Sequence, residues 1–251
     1  MQRALYDDEF HIYFHPKIDI KSGKIMGAEA LLRWVHKEKG FISPALFIPL
    51  AESTGFILSL GKLVIEKTLH SIQKISNMGY TELVISLNVS TRQFQNSDLY
   101  NDLKAELKKR TINPYQVAIE ITESVMMKHV NKTLITLQNI KELGISIDID
   151  DFGTGYSSLS YLQKFPIDVL KIDKIFVDEI NTKNDKELLI DTILAMGRAL
   201  KLKVVAEGVE TKEQYEFLKH RKCDVIQGYY FEKPMDEASF IQLLKSDKTY
   251  S

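Results

Sequence analysis

Short apolar, β-branched runs alternate along the chain with longer stretches whose apolar residues recur at helical spacing. The runs predict strands at His11–Ile18, Lys24–Leu32, Leu83–Val89, Gln116–Ile121, Ile145–Ile149, Asp168–Ile172, Lys203–Ala206 and Cys223–Ile226. Amphipathic helices are predicted over Leu60–Met78, Asp98–Lys109, Lys132–Leu143, Asp185–Leu200 and Lys212–Lys219. Repeated strand–helix alternation implies a parallel sheet covered by helices, and eight such strands suggest closure into a barrel. Strands one and two are separated only by a turn around Lys21-Ser22-Gly23. A parallel pair needs a crossover of a dozen or more residues, so these two should be antiparallel and the barrel irregular.

Polar residues interrupt or end these runs in a pattern. Glu29 sits within Gly27-Ala28-Glu29-Ala30-Leu31-Leu32, and Asn88 ends Val84-Ile85-Ser86-Leu87. Glu120 ends Val117-Ala118-Ile119 and is soon followed by Glu123. Asp150 and Asp151 end Ile145–Ile149, Lys171 follows Val169-Leu170, Glu207 follows Val204-Val205-Ala206, and Gln227 follows Val225-Ile226. A single charge at a strand end is ordinary, since strands end in solvent. Seven strands with Asp, Glu, Asn, Gln or Lys near the same end point to a shared site, because the C-terminal ends of a parallel barrel converge on one mouth.

Electrostatics narrows the chemistry. Glu29, Glu120, Asp150, Asp151 and Glu207 would crowd around one cation, Lys171. Two carboxylates about 4 Å apart repel by roughly 4 kcal/mol at an effective dielectric of 20. Several such pairs would rival a domain's whole stability of roughly 5–15 kcal/mol. Either some carboxylates keep a proton or cations sit among them. Five carboxylates and an amide oxygen form a hard, all-oxygen donor set, suited to Mg²⁺ or Mn²⁺ rather than zinc. Adjacent Asp150 and Asp151 can serve two ions, an arrangement used for in-line displacement at phosphorus. The following loop, Asp151-Phe152-Gly153-Thr154-Gly155-Tyr156-Ser157-Ser158, has two glycines. They suit either a mobile loop at the mouth or a tight turn capped by Ser157 or Ser158; the neighbouring aspartates favour the former.

Composition adds limits. The 251 residues fit one large barrel, and no low-complexity segment or long linker divides them. Lys and Arg number 33 against 34 Asp and Glu, a formal net charge of −1, so no bulk basicity points to a nucleic-acid polymer or an anionic membrane. The one cysteine, Cys223, excludes an intramolecular disulfide and a cysteine-rich metal site, and sits in an apolar run as an inert buried thiol. No apolar run approaches the roughly 20 residues of a membrane span, and the charged Met1–Phe10 is no signal peptide. A cytoplasmic domain, excised from a longer protein, is the expectation.

Glu29-Ala30-Leu31-Leu32-Arg33-Trp34 resembles the signature of EAL domains, bacterial cyclic-di-GMP phosphodiesterases. The resemblance continues through Phe47-Ile48-Pro49-Leu50-Ala51-Glu52, Asn88-Val89-Ser90, Glu120-Ile121-Thr122-Glu123 and Asp150-Asp151-Phe152-Gly153-Thr154-Gly155. It ends with Lys171-Ile172-Asp173, Ala206-Glu207-Gly208-Val209-Glu210 and Gln227-Gly228-Tyr229, so it covers nearly the whole chain. It implies a modified TIM-like (β/α)8 barrel with one antiparallel strand, and Mg²⁺- or Mn²⁺-dependent opening of cyclic di-GMP to linear pGpG. By that resemblance Glu29, Asn88, Glu120 and Asp150 hold one ion, and Asp150, Asp151 and Glu207 a second. Lys171 holds the attacking water, Gln227 hydrogen-bonds within the site, Arg33 contacts the ligand, and Glu123 anchors the loop after Asp151. The resemblance also implies a homodimer, and a regulatory or GGDEF domain upstream in the native protein.

One position departs from the family pattern: His15-Pro16 stands where many members carry Gln before the proline. Histidine still hydrogen-bonds but can titrate near neutral pH. His11, His36, His70, His129 and His220 show no ligand spacing, and Trp34 is expected in the core. Two other readings compete. A cyclic-di-GMP receptor without catalysis is disfavoured because every expected ligand position is filled. An enolase-like base or an aldolase-like Schiff base at Lys171 is disfavoured by the paired aspartates.

Overall fold

A computed structural model describes residues 1–250 apart from 96–97, 128–129, 154–161 and 181–185. Its strands are β1 (Phe10–Asp19), β2 (Ile25–His36), β3 (Gly40–Ile42), β4 (Val84–Asn88), β5 (Val117–Thr122), β6 (Ser146–Phe152), β7 (Val169–Ile172), β8 (Lys203–Ala206), β9 (Val225–Ile226) and β10 (Met235–Asp236). All eight predicted strands are present. They close in the order β1-β9-β8-β7-β6-β5-β4-β2, with β2 returning to β1. The neighbours from β2 through β9 pair in parallel, while β1 is antiparallel to both β2 and β9. The short turn after Asp19 therefore does what its length demanded.

The sequence reading missed two strands, both outside the ring. β2 runs past Leu32 to His36 because its end forms a hairpin with β3, and β10 adds two residues to the edge of β1. The helices Ile57–Asn77, Asp98–Arg110, Val130–Glu142, Lys186–Leu200 and Lys212–His220 lie where the periodicity placed them. None among the described residues is long and apolar enough to cross a membrane.

Strand alternation sorts the residues into two layers. One set faces the helices: Ile85 and Leu87, Ile119 and Ile121, Ile147 and Ile149, Leu170 and Ile172, Val204 and Ala206, all in the main apolar cluster. The alternate set faces the barrel axis and includes Ser86, Glu120, Asp148 and Lys171, all buried. Barrel interiors are ordinarily filled by branched apolar side chains; here the apolar core lies outside the ring, and an ionic network fills much of the inside. A smaller apolar cluster of Ala4, Phe10, Phe47, Ala51, Ile57 and Leu60 packs beside the mouth, with Trp34 against it. Trp34 thus lies in a core, as expected, and its Nε1 donates to Glu9 Oε2 at 2.9 Å.

Candidate active site

The parallel strands deliver Glu29, Asn88, Glu120, Asp150, Lys171, Glu207 and Gln227 to one mouth. Pairing sets their order: Asn88 is level with Glu120, and Thr122 with Asp150. At the centre is the Lys171 ammonium, fully buried. Its Nζ lies 2.5 Å from Glu120 Oε2, 2.6 Å from Glu207 Oε1 and 3.0 Å from Asp150 Oδ1. Burial alone would lower the lysine pKa, but Glu120, Glu207, Glu29 and Asp150 outweigh it and hold the group well above its ordinary value.

Lys171 is not the sole cation, as the sequence reading supposed. Lys17, on the antiparallel strand, is also buried and places its Nζ 2.8 Å from Glu120 Oε1, 2.8 Å from Ser86 Oγ and 3.7 Å from Asp148 Oδ2. Each oxygen of Glu120 thus faces a different ammonium. Burial would raise the Glu120 pKa, yet Lys17 and Lys171 hold the carboxyl far below the usual range.

A second arm is built on amides. Glu29 Oε1 accepts from Asn88 Nδ2 at 2.6 Å and Oε2 from Gln227 Nε2 at 2.8 Å. Gln227 Nε2 also lies 2.8 Å from His15 Nδ1, whose Nε2 is 3.1 Å from the Glu232 carbonyl. A carbonyl only accepts, so Nε2 carries the imidazole proton and Nδ1 accepts from Gln227. Burial depresses the His15 pKa to about 4 and keeps the ring neutral. Gly228 supports the arm: a Cβ there would lie 2.1 Å from the Val209 carbonyl oxygen, so only glycine lets the chain turn this tightly after Gln227. Arg33 shares a strand face with Glu29, and its Nη1 donates to the Leu32 carbonyl at 3.2 Å. The ring of Tyr229 lies 5.9 Å from that of His15.

Asp150 and Asp151 owe their disposition to a bulge. Between β6 and β7 the register passes from Ile149↔Leu170 to Phe152↔Ile172, so β6 carries one extra residue. Asp151 absorbs it in the left-handed region, with φ +54°. Its carboxyl is pushed up to about 6 by burial, then by Asp150, and by a hydrogen bond with Asp173. Glu123 is buried at the start of the helix Glu123–Met127, and its Oε2 accepts from the Gly153 backbone at 3.3 Å. The contact reaches the first residue after β6; Thr154, Gly155, Tyr156, Ser157 and Ser158, like His129 and Asp185, lie outside the described residues.

The donor set suits a hard cation. Glu207 is pushed up to about 8 by burial, with Asp150, Glu29 and Glu120 adding to the effect against Lys171. Glu29 is raised by burial and by Glu120. Gln227 Oε1 is buried without a hydrogen-bond partner among the described residues. Among the described residues, no three His, Cys, Asp or Glu side chains already stand as an ion shell; the carboxylates converge on Lys171 instead. Excess oxygen donors, raised carboxyl pKa values and an orphaned amide oxygen fit a divalent cation bound with modest rearrangement.

Lys17, Ser86, Asp148 and Asp173 were missed as members of this network. For Asp148 a signal existed, since Ser146, Asp148 and Asp150 alternate with Ile145, Ile147 and Ile149. Cys223 is buried and its thiol pushed up to about 12, the inert group expected.

Replacing His15 by Gln changes the response to acid. In the window from the ordinary 6.5 down to about 4, the unfolded histidine takes up a proton that the native one refuses. Stability is therefore lost as pH falls through that window, by on the order of 3 kcal/mol. Urea unfolding at pH 7 and pH 5 should show a smaller loss in His15→Gln than in the parent; equal losses would refute the buried neutral ring.

Comparison with known proteins gives a consistent match. The family described as EAL domain matches residues 1–234. The chain is 41% identical over 244 residues to signaling protein YkoW of Bacillus subtilis, covering 97% of this chain and 30% of that protein. It is 37% identical over 235 residues to the bifunctional diguanylate cyclase/cyclic di-GMP phosphodiesterase MucR of Pseudomonas aeruginosa, covering 94% and 34%. The chain thus spans about a third of the length of these relatives. A solved structure described as PaMucR phosphodiesterase, c-di-GMP complex, superposes with a TM-score of 0.93 at 37% identity, over 95% of this chain and 97% of that one.

Proposed function

The chain belongs to the EAL domain family, and on that premise we propose that it hydrolyses cyclic di-GMP to linear pGpG with Mg²⁺ or Mn²⁺ ions. The observation that carries this reading is the Lys171 ammonium buried among Glu120, Asp150 and Glu207 at the C-terminal mouth, in a chain that matches a solved phosphodiesterase over nearly its full length.

In this reading Glu29, Asn88, Glu120 and Asp150 would hold one ion, and Asp150, Asp151 and Glu207 would hold the other. Divalent cations bound there would acidify a water molecule and stabilise charge developing on the phosphate. The chain's own residues position and neutralise. Lys171 Nζ donates toward the attacking water and offsets the phosphate charge, held in place by Glu207 and Glu120. Gln227 keeps Glu29 oriented through its Nε2, and His15 fixes the amide from behind. Arg33, on the same strand face, offers a cation to the ligand. Glu123 tethers Gly153, and through it the loop after Asp151. Such chemistry depends mostly on placement and preorganised charge.

The domain is proposed to act in the cytoplasm, as a homodimer and as one module of a longer protein with a regulatory or GGDEF domain upstream. Light scattering that finds only monomer would count against the dimer.

Purified protein is incubated with cyclic di-GMP and Mg²⁺ or Mn²⁺, beside a chelator control, and the products are separated by chromatography. Ion-dependent pGpG is expected. Binding of the dinucleotide without turnover would make the domain a receptor.

A second readout is thermal. With Glu207 pushed up to about 8 from 4.5, the native state holds more protons than the unfolded one between those values. Without ions, this group's contribution to stability is therefore lost as pH rises through the window. Cation binding needs the deprotonated form, so Mn²⁺ should raise the melting temperature more at pH 8 than at pH 5.5. An equal rise at both would contradict binding at Glu207.

A further inference from the structure

We propose that Lys17 is a positioning residue for the reaction: from beneath the site it fixes the Glu120 carboxylate so that one oxygen alone is presented toward the ions. The inference rests on the reading of the site given above and extends it to a strand that contributes none of the proposed ion ligands.

The geometry is asymmetric. Glu120 has no exposure of consequence and two oxygens, each committed to a different lysine. Lys171 approaches on the side shared with Asp150 and Glu207. Lys17 approaches from the other side, where its partners are Ser86 and Asp148. A cavity of about 470 Å³ opens at the opposite end of the barrel, and Lys17, Ser146 and Asp148 line its inner wall together with Gly27, Val84 and Val225. Lys17 therefore sits between the two ends of the barrel axis. Asp148 competes for its ammonium at 3.7 Å, while Glu120 and Ser86 hold it at 2.8 Å each.

A carboxylate with both oxygens free turns readily about its last bond and can bind an ion through either or both. Pinning one oxygen with a buried ammonium removes that freedom and leaves Oε2, which Lys171 holds on the side of Asp150 and Glu207, as the oxygen that would be offered to an ion. The antiparallel direction of β1 makes this possible. Lys17 pairs with Gly27 at the lower end of β2, and the side chain enters the axis below Glu120. A lysine on a parallel strand at the mouth would instead stand among the ion ligands.

The test separates positioning from mere filling of the interior. Lys17→Met alone leaves Asp148 buried without its cation, which is a route to misfolding, so the principal variant is Lys17→Met with Asp148→Asn, referred to the single Asp148→Asn. Mn²⁺ is titrated into chelator-treated protein by calorimetry, and kcat and KM for cyclic di-GMP are measured at saturating Mn²⁺. Losing a group that orients an ion ligand typically weakens ion binding about 10–100-fold, and that loss is expected here, with kcat reduced and KM unchanged. A folded double variant with the reference ion affinity and kcat would overturn the proposal.

If that variant does not fold, Ser86→Ala carries the test, since among the described residues the Ser86 hydroxyl hydrogen-bonds Lys17 alone. A few-fold loss of Mn²⁺ affinity at an unchanged melting temperature supports positioning, and parental affinity refutes it. A parent protein that binds no ion would overturn the reading of the site itself, and this inference with it.

Discussion

Lys171→Met should lower the turnover of cyclic di-GMP by about 10²–10³-fold, the typical cost of removing one preorganised electrostatic group from an active site. The substitution keeps the length and apolar stem of the side chain but leaves Glu120, Asp150 and Glu207 facing one another without the ammonium that now lies within 3.0 Å of all three. Breaking a buried ionic cluster by removing one partner costs on the order of 3–5 kcal/mol, so the ion-free variant should also unfold at lower urea. Added Mn²⁺ should recover more stability in the variant than in the parent, because a bound cation relieves the same repulsion. Urea titrations with and without the ion, beside the chromatographic assay, check both halves. Near-parental turnover would show that Lys171 only neutralises its surroundings.

Glu29→Ala is expected to bring turnover to background while the fold survives. The Glu29 carboxylate is buried and raised in pKa by that burial and by Glu120, so its ionised form is a burden on the ion-free protein. Removing it frees Asn88 Nδ2, which belongs to an exposed residue and can turn to water, and one proton of Gln227 Nε2, which keeps His15. The net change in stability should be small, whereas ion binding loses a charged oxygen donor. Circular dichroism and the melting temperature report the fold, and the chromatographic assay the activity. Unchanged turnover would remove Glu29 from the site.

Much of this arrangement was legible in the chain. The eight strands, the antiparallel first pair and the convergence of Glu29, Asn88, Glu120, Asp150, Lys171, Glu207 and Gln227 follow from run length, turn length and polar residues at strand ends. Lys17 escaped because it sits within a strand, where an interior position looks the same in sequence as a solvent-facing one until the ring is closed; Asp148 shows in the alternation of β6 but lies below the strand end that marks the site. The contact between Asp151 and Asp173 depends on the extra residue in β6, which is a property of pairing between strands. No pattern within one strand encodes it. The hairpin partner of β2 was missed for a related reason: Gly40–Ile42 is too short to carry a periodicity of its own.

The reversed direction of β1 has one more effect. The paired residues Gly27 and Val84 mark the lower end of the barrel, and Phe10 pairs with Trp34 at the upper end. The helix Gln2–Tyr6 therefore lies beside the mouth that carries the candidate site, and its Ala4 packs with Phe10, Phe47 and Ala51. In a barrel whose first strand ran with the others, that path would start at the far end, a full strand length from the chemistry. Here the first helix and strand β2, which bears Glu29 and Arg33, meet in one apolar cluster, with Ala4 in it and Trp34 of β2 packed against it. Inverting one strand places the helix Gln2–Tyr6 at the end of the barrel that carries the proposed ion ligands.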